Sequence, residues 1–404
     1  MPSKFEYKLR CLFWQMNRPF VWFFIKRRFN FVTAEGSDTV PPPPYVLVAN
    51  HANFFDPWMV GYQCPHALFI MMNDDGFRGN TFQAWYLRTI GAFPKKKGAH
   101  DYKAMKYTLQ LLKAGFPVLI FPEGQTSWDG ETQPIYSGVE KIIKRAGCPL
   151  VMMRLSGNFL SKPWWADAAR KGKIAIRIKV VSSGAVASMS EPALLDTMKT
   201  YMYNNDVKNP ENLLAKFTGV NLARGLERFI WICRHCEAED ALETAGNTIT
   251  CTACSASWEI DPYFRLSPRM PGITPIGDLH DWAAWHKQKV RERLSRAAMR
   301  SDITASAGVV MQTEAAGRFV DRGAGTLTLT TQELLFAPSE RGGRILRWPI
   351  EKVEDYVIQA KDIFEFRVEK EYYRFVFDRR SPMKWIFYLR YMRGYETIEQ
   401  RGYY

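Results

Sequence analysis

The alternation of short apolar runs with amphipathic segments between residues 45 and 181 is the feature that most constrains the fold. The runs "YVLVAN", "HALFIMM", "FPVLIFPEG", "PLVMMRLSG" and "KIAIRIKVVSSG" have the length of strands, whereas "FQAWYLRTIGA" and "DYKAMKYTLQLLKAG" have helical periodicity. Strands that alternate with helices pack as layers around a central sheet. The sequence therefore predicts an α/β layer fold with a central mixed sheet over residues 37–225.

The pattern changes in the second half of the chain. A helical segment rich in charge, "GDLHDWAAWHKQKVRERLSR", lies within a linker at 263–305, and strand patterns such as "GTLTLTTQELLFAP" and "EYYRFVFD" follow. The last predicted helix, "SPMKWIFYLRYM", places Trp385, Leu389 and Met392 along one face. We expect an antiparallel β-barrel-like domain, capped by a helix, over residues 306–404.

Residues 1–36 mix bulky aromatic side chains with Lys and Arg. This pattern fits helices that lie in a bilayer interface, and it equally fits an amphipathic helix packed on its own domain. A net charge of +14 indicates an anionic partner: nucleic acid, an acidic membrane or a phosphorylated molecule. No apolar run approaches the roughly 20 residues of a membrane span, and no signal-peptide pattern is seen. We therefore predict a cytoplasmic protein, peripheral on the inner face of the membrane.

A histidine and an acid follow the first apolar run. Asn50 and His51 end that run, and Asp56 comes five positions after the histidine. A carboxylate that binds one ring nitrogen of His51 would leave the other nitrogen as a general base. No Gly-x-Ser-x-Gly motif occurs and Cys64 lacks evident activation, so this base would act on a substrate hydroxyl. The structural alternative is a histidine at a turn, with Asp56 as an N-cap before Pro57.

Two further loops at strand ends carry polar groups. Glu123 and Gly124 follow "VLIFP", where a carboxylate can hold a hydroxyl and a glycine permits close backbone approach. The loop "IGAFPKKKG" contains three consecutive lysines, residues 95–97, suited to a phosphate. Its alternative interpretation is a solvated basic turn.

Taken together, these motifs resemble those of the glycerolipid acyltransferases, the 1-acyl-glycerol-3-phosphate acyltransferase-like superfamily. Asn50-His51 with Asp56 is similar to the first motif, "GAFPKKK" to the second with Lys97 at its arginine position, "FPEGQTS" to the third and "CPLVMMRL" to the fourth. The resemblance covers roughly residues 1–225. It implies that His51 deprotonates the acceptor hydroxyl and that Asp56 orients His51.

The resemblance also implies a substrate site. Lys97 would bind the acceptor's phosphate, and Asn50, Glu123 and Gly124 would line the acceptor pocket. The donor would be acyl-CoA or acyl carrier protein, and the acceptor a lysophospholipid or a related glycerolipid. No catalytic cofactor is implied.

Four cysteines form a second constellation. Cys233 and Cys236 make one Cys-x-x-Cys pair, and Cys251 and Cys254 make another after 14 intervening residues. Four thiolates at this spacing can close a tetrahedral cage, for which zinc is the default metal. The sequence predicts a zinc ribbon over residues 226–262 with a structural Zn²⁺. Unmetallated buried thiols and a redox role for either pair are the alternatives.

The C-terminal strands and closing helix resemble a GRAM or pleckstrin-homology-like domain, with Arg379 and Arg380 facing either anionic headgroups or solvent. The sequence thus predicts a phospholipid-synthesising acyltransferase that works at a membrane surface on a lysolipid acceptor, with no nucleic acid as partner. The alternative is a non-catalytic lipid-binding scaffold that recruits partners through the zinc ribbon and the C-terminal domain.

Overall fold

The structure is a computed structural model, and it describes residues 2–77, 81–95, 101–124, 126–135, 137–297, 301–315, 318–340 and 342–394. The chain divides into two compact units. Among the described residues, the first unit holds 2–164 and 169–219, and the second holds 165–168 and 220–394. The five-part domain division made from the sequence stays a prediction.

The first unit is built from ten helices and seven strands among the residues described. The helices are α1 Lys4–Val21, α2 Arg27–Phe29, α3 Asp56–Gln63, α4 Thr81–Thr89, α5 Tyr102–Lys113, α6 Val139–Ala146, α7 Asn158–Ser161, α8 Ser183–Ser188, α9 Glu191–Met202 and α10 Pro210–Leu213. The strands are β1 Phe31–Thr33, β2 Val46–Ala49, β3 Phe69–Asn73, β4 Ala92–Lys95, β5 Val118–Ile120, β6 Leu150–Ser156 and β7 Ile174–Val181. A π-helical turn, Trp22–Lys26, joins α1 to α2, and a 3₁₀ turn, Asp74–Phe77, follows β3.

The seven strands form one mixed sheet in the order β1-β7-β6-β2-β5-β3-β4. All neighbouring pairs are parallel except β6 and β7, which are antiparallel. The predicted α/β fold with a mixed central sheet is confirmed.

Both faces of this sheet are covered. Val46 and Val48 of β2 pack on one side with side chains of α5, α6 and α9, whereas Leu47 and Ala49 pack on the other with α3 and the N-terminal helical segment. Successive side chains of a strand point to opposite faces, so a strand covered on both sides reads as a continuous apolar run. Each fully buried Val or Leu side chain here contributes about 1.5–3 kcal/mol relative to exposure.

The second unit contains two antiparallel sheets and two α-helices in its described part. The strands of the first sheet are β8 Leu242–Ala245, β9 Thr248–Cys251, β10 Ser257–Ile260 and β11 Leu266–Pro268, in the order β11-β10-β9-β8. The strands of the second are β12 Asp302–Ala315, β13 Arg318–Thr330, β14 Glu333–Pro338, β15 Leu346–Pro349, β16 Glu354–Gln359, β17 Ile363–Val368 and β18 Glu371–Val376. Their order in the sheet is β15-β14-β13-β12-β18-β17-β16. The helices are α11 Leu279–Arg296 and α12 Met383–Met392, and 3₁₀ turns lie at Leu226–Arg228 and Ile350–Lys352.

Two local patterns in the sequence differ from the structure. The segment "LARGLERFI", whose apolar residues have helical spacing, forms only the single 3₁₀ turn because Gly225 has a φ of +96°. A Cβ at this position would lie 2.3 Å from the carbonyl oxygen of Trp165. The closing helix α12 is buried over Met383–Arg390 rather than along one face, since it packs against both α11 and β16.

Within the described residues, no helix combines the length and the apolar character needed to cross a membrane.

Candidate functional site

The polar loops that follow parallel strands lie at one edge of the first sheet. His51 comes just after β2 and Glu123 just after β5, and these two strands are direct neighbours. The backbone N–H of His51 donates to Glu123 Oε1 at 2.6 Å. Open α/β sheets place ligands at this carboxyl edge. The structure therefore brings the first and third motifs together.

His51 and Asp56 are in direct contact. Nδ1 of His51 lies 3.0 Å from Oδ2 of Asp56, which is the first residue of α3 and has no exposed surface. Asp56 does not serve as the N-cap, since that position belongs to Phe55. Its side chain instead reaches back over the preceding loop.

The surroundings of Asp56 fix the state of the histidine ring. The backbone N–H groups of Ala52 and Asn53 both donate to Asp56 Oδ2 at 2.8 Å. An oxygen surrounded by donors acts as an acceptor, so Nδ1 of His51 carries the hydrogen of the shared bond. The other ring nitrogen, Nε2, is then left with a free lone pair.

Asn158 is a member of this site that the sequence patterns did not single out. Its Nδ2 donates to Asp56 Oδ1 at 3.0 Å, and its carbonyl oxygen accepts from Asn53 Nδ2 at 2.9 Å. The side chain is completely buried. Asn158 begins α7 directly after β6, so the rule that places sites after parallel strands pointed to it as well.

Both oxygens of Glu123 are bound to backbone. Besides the bond from His51, Oε2 accepts from the N–H of Gln133 at 2.6 Å. Burial raises the pKa of Glu123 well above its usual value, and the two amide bonds oppose that shift. The side chain of Glu123 thus links the backbone of His51 to the loop that follows β5.

Asn50 and Gly124 were both expected to contact substrate. The side-chain amide of Asn50 is hydrogen-bonded to the backbone of Leu155. The N–H of Leu155 donates to Asn50 Oδ1 at 2.7 Å, and its carbonyl oxygen accepts from Asn50 Nδ2 at 2.9 Å. Gly124 has a φ of +69°, and a Cβ there would meet nothing within 4 Å. Its backbone therefore faces open space beside Glu123.

The second motif is described only in part. Lys95, the last residue of β4, is half-buried; burial lowers its pKa, while Asp101 acts in the opposite direction. Lys97, the predicted phosphate ligand, lies outside the described residues.

A buried acid supports the loop that carries Asn158. Oδ1 of Asp206 accepts from the N–H of Gly157 at 2.7 Å, and Oδ2 accepts from the N–H of Phe159 at 2.9 Å. Asn204 adds a third bond of 2.6 Å. Burial raises the pKa of Asp206 from 3.8 to about 6 despite these donors. Asp206 therefore fixes the backbone on both sides of Asn158.

A shallow depression lies beside these groups, lined in part by His51, Glu123, Ser127 and Asp206. The His51 side chain is 20% exposed, and its ring stacks on Phe121 with centroids 4.4 Å apart. The ring therefore reaches the surface at this depression.

The N-terminal helical segment, residues 4–29, has two different faces. Its inner face binds neighbouring backbone through polar atoms: Arg10 donates to the carbonyl oxygen of Arg88 at 2.8 Å, and Arg18 donates to that of Tyr62 at 2.9 Å. The opposite face exposes apolar side chains, which we call the apolar stripe: Phe5, Leu9, Leu12, Phe13, Met16, Phe20, Phe23 and Phe24.

The four cysteines converge as the sequence predicted. All are free thiols, and their Sγ atoms lie within 4.8 Å of one another. We call this group the sulfur cage. Soft thiolate donors in a set of four suit Zn²⁺, so the residues present fit that metal.

The first unit is therefore an α/β domain with an acid–histidine pair at the carboxyl edge of its sheet. Residues 31–156 of the chain match the family model described as Acyltransferase. All four motifs fall inside this match. The resemblance to acyltransferases seen in the sequence is therefore confirmed over this segment.

Curated relatives match over part of their length. A 1-acyl-sn-glycerol-3-phosphate acyltransferase of Streptococcus pneumoniae is 28% identical over 119 residues, which cover 29% of this chain and 44% of that protein. The chloroplastic 1-acyl-sn-glycerol-3-phosphate acyltransferase BAT2 of Brassica napus is 28% identical over 31% of this chain and 37% of its own length. A crystal structure of the 1-acyl-sn-glycerophosphate (LPA) acyltransferase PlsC from Thermotoga maritima aligns with a TM-score of 0.41 and 20% identity, over 50% of this chain and 81% of that chain.

Proposed function

We propose that the protein is a peripheral membrane acyltransferase that moves a fatty acyl group from a thioester, acyl-CoA or acyl carrier protein, to the hydroxyl of a lysophospholipid. The observation that carries the proposal is the His51–Asp56 contact of 3.0 Å, which leaves Nε2 free at the carboxyl edge of the sheet. This pair lies inside the segment that matches the acyltransferase family.

The chemistry follows from the free nitrogen. Nε2 of His51 takes the proton of the acceptor hydroxyl as its oxygen attacks the thioester carbonyl carbon. The tetrahedral intermediate then breaks its carbon–sulfur bond, and the leaving thiolate receives the proton from His51. Asp56 holds the ring in one orientation and stabilises the imidazolium that forms between the two steps. Because the thioester is already activated, no catalytic cofactor is needed.

The loops around His51 position it. Glu123 holds the His51 backbone, and Asn50 ties the end of β2 to β6 through Leu155. In this proposal Asn50 therefore acts on substrate only indirectly. Gly124 leaves room for the acceptor because no side chain occupies the space beside its backbone.

The acceptor is proposed from charge and from the relatives. Lys95 ends β4 on the same edge of the sheet as His51, and two more lysines follow it in the sequence, so this motif offers cations for a phosphate. The curated relatives carry names that specify a 1-acyl-sn-glycerol-3-phosphate acceptor. We therefore propose a lysolipid with a phosphate next to its glycerol, with lysophosphatidate as the first candidate.

The apolar stripe supplies the route to a water-insoluble acceptor. Its aromatic end is flanked by cations, since Lys26 lies over the ring of Trp22 at 5.3 Å and Arg27 over that of Phe23 at 5.4 Å. Exposed aromatics beside Lys and Arg suit a bilayer interface with anionic headgroups. Phe54, in the loop between His51 and Asp56, is 54% exposed. Apolar surface therefore also lies beside the base.

The experiment incubates the full chain with acyl-CoA and acyl carrier protein donors and a panel of lysolipids in vesicles, then identifies products by mass spectrometry. A new ester on a lysolipid, lost in His51→Ala, is expected. His66→Ala is the matched control because His66 lies near the start of β3, at the opposite edge of the sheet. Vesicle binding without any acylated product would instead favour the non-catalytic lipid-binding scaffold.

A further inference from the structure

The sulfur cage has two short edges. Sγ of Cys233 lies 3.8 Å from Sγ of Cys254, and Sγ of Cys236 lies 3.7 Å from Sγ of Cys251. With Zn–S bonds of about 2.3 Å, the edges of a tetrahedral tetrathiolate site are roughly 3.8 Å long. These two edges match that length, and all four sulfur atoms lie within 4.8 Å of one another.

The first cysteine pair also shapes the loop that follows it. The N–H of Cys233 donates to the carbonyl oxygen of Ala238 at 2.9 Å, and the N–H of Glu237 donates to that of Cys233 at 3.0 Å. Two residues in this loop have positive φ, Glu237 at 62° and Asp240 at 51°. Such conformations are unfavourable for these residue types and persist when surrounding contacts hold them. Backbone hydrogen bonds therefore tie this loop to the first cysteine pair.

This loop carries an acid that binds a fully buried cation. Lys384 of α12 has no exposed surface, and its Nζ lies 2.5 Å from Asp240 Oδ2. Oδ2 also accepts from Ser306 Oγ of β12 at 2.8 Å, and Lys384 donates to the carbonyl oxygen of Ala305 at 3.0 Å. Asp240 is therefore the charge that makes burial of Lys384 possible.

Glu239, the residue before Asp240, also contacts the C-terminal sheet and α12. Glu239 accepts from Tyr388 of α12 and from Thr304 of β12, in both cases at 2.6 Å. It also pairs with Arg293 of α11. The two adjacent acids therefore bind the sheet of β12–β18 and both helices of the second unit.

We propose that the sulfur cage binds one Zn²⁺ and that the metal, by fixing Glu239 and Asp240, anchors the C-terminal sheet and α12. This assigns the ribbon a role inside the second unit that does not depend on the proposed acyl transfer. Four thiols lose their protons to the solvent when the metal binds, and the binding free energy then becomes folding free energy. Release of the metal should loosen the sheet that the acids hold as well as the ribbon.

The first test measures metal content and hydrogen exchange on the full chain. Inductively coupled plasma mass spectrometry should find one Zn²⁺ per chain, and Co²⁺ in its place should give the absorption bands of a tetrahedral tetrathiolate site. After removal of the metal by a chelator under reducing conditions, peptides covering β12 and α12 should exchange faster, whereas peptides covering β2 and β6 should not change.

A second test separates the anchor from the metal site. Asp240→Asn keeps all four thiols, so it should retain one Zn²⁺ while exchange in β12 and α12 becomes on the order of a hundredfold faster, the effect of breaking a buried ion pair. Glu243→Gln is the matched control, an exposed acid of β8 in the same ribbon.

Three results would overturn the proposal. They are a folded protein whose reduced thiols bind no metal, oxidation of the four cysteines to disulfides in place of metal binding, and a metal-free or Asp240→Asn protein whose faster exchange stays within residues 226–262. None of these readouts uses enzymatic activity, so failure of the proposed acyl transfer would not be mistaken for failure of the anchor.

Discussion

Asn158 donates a hydrogen bond of 3.0 Å to Asp56, although the two residues are 102 positions apart in the chain. This bond joins the loop after β6 to the acid that orients His51. Since Asn158 contacts the acid and not the base, the proposed mechanism assigns it a positioning role.

The first prediction concerns this bond. Asn158→Ala should lower kcat about tenfold with little change in KM, because the base loses orientation while substrate contacts remain. Steady-state kinetics with a short-chain acyl-CoA would measure kcat and KM separately, and circular dichroism would show whether the variant is folded. A rise in KM with unchanged kcat would contradict a positioning role for Asn158.

The second prediction concerns Asp206 and pH. Because burial raises its pKa from 3.8 to about 6, the folded protein binds more protons than the unfolded chain between these values. This group therefore makes the free energy of unfolding fall as pH rises through that window, by about 3 kcal/mol in total. The fall ends above the folded pKa.

Asp206→Asn removes this titration. Urea unfolding of wild type and variant across pH 4 to 7 should show the wild-type stability, relative to the variant, falling up to about pH 6 and then levelling off. A difference that stays constant over this range would contradict a raised pKa for Asp206.

The third prediction concerns Gly124. Its φ of +69° strains any residue with a Cβ, so Gly124→Ala should cost about 1 kcal/mol of unfolding free energy. Gly147→Ala is the matched control, because Gly147 has a φ of +61°, also faces open space and caps α6 away from His51. Both variants should lose similar stability, and only Gly124→Ala should lose activity. Equal activity of the Gly124→Ala and Gly147→Ala proteins would contradict a place for Gly124 in the acceptor site.

The fourth prediction concerns the apolar stripe. Replacing Met16 and Phe20 by Ser should reduce partition onto anionic vesicles about tenfold or more, since two large apolar side chains would no longer enter the interface. Cosedimentation measures the partition. Leu214→Ser is the control, because Leu214 is 86% exposed in the same unit but lies outside the stripe. An equal loss in both variants would contradict a specific lipid-facing surface.

The sequence patterns were sufficient for features set by local periodicity. Continuous apolar runs indicated strands buried on both faces, and the residues that follow β2 and β5 then had to meet at one edge. Helix α5 ends as predicted, with Gly115 in the left-handed conformation just beyond it. The cysteine spacing similarly identified four thiols that the fold brings together.

Contacts between distant polar residues were not predictable in the same way. Asn158 lies just past a predicted strand, but no pattern in the sequence marks the bonds that it and Asp206 make to Asp56 and to backbone N–H groups. The N-terminal segment shows a related limit. Its apolar periodicity allowed packing inward, yet the apolar stripe is exposed. The inward contacts come from Arg10 and Arg18 and from Tyr7, Ile25 and Phe29.

The central claim is that Nε2 of His51 removes the proton from the acceptor hydroxyl. The most direct measurement is the turnover number of purified His51→Ala against that of His66→Ala, on the donor and acceptor pair that the wild type uses best. We expect His51→Ala to be slower by about 10² to 10⁴ and His66→Ala to stay within about twofold of wild type. A folded, vesicle-bound His51→Ala protein that turns over like the wild type would contradict the account.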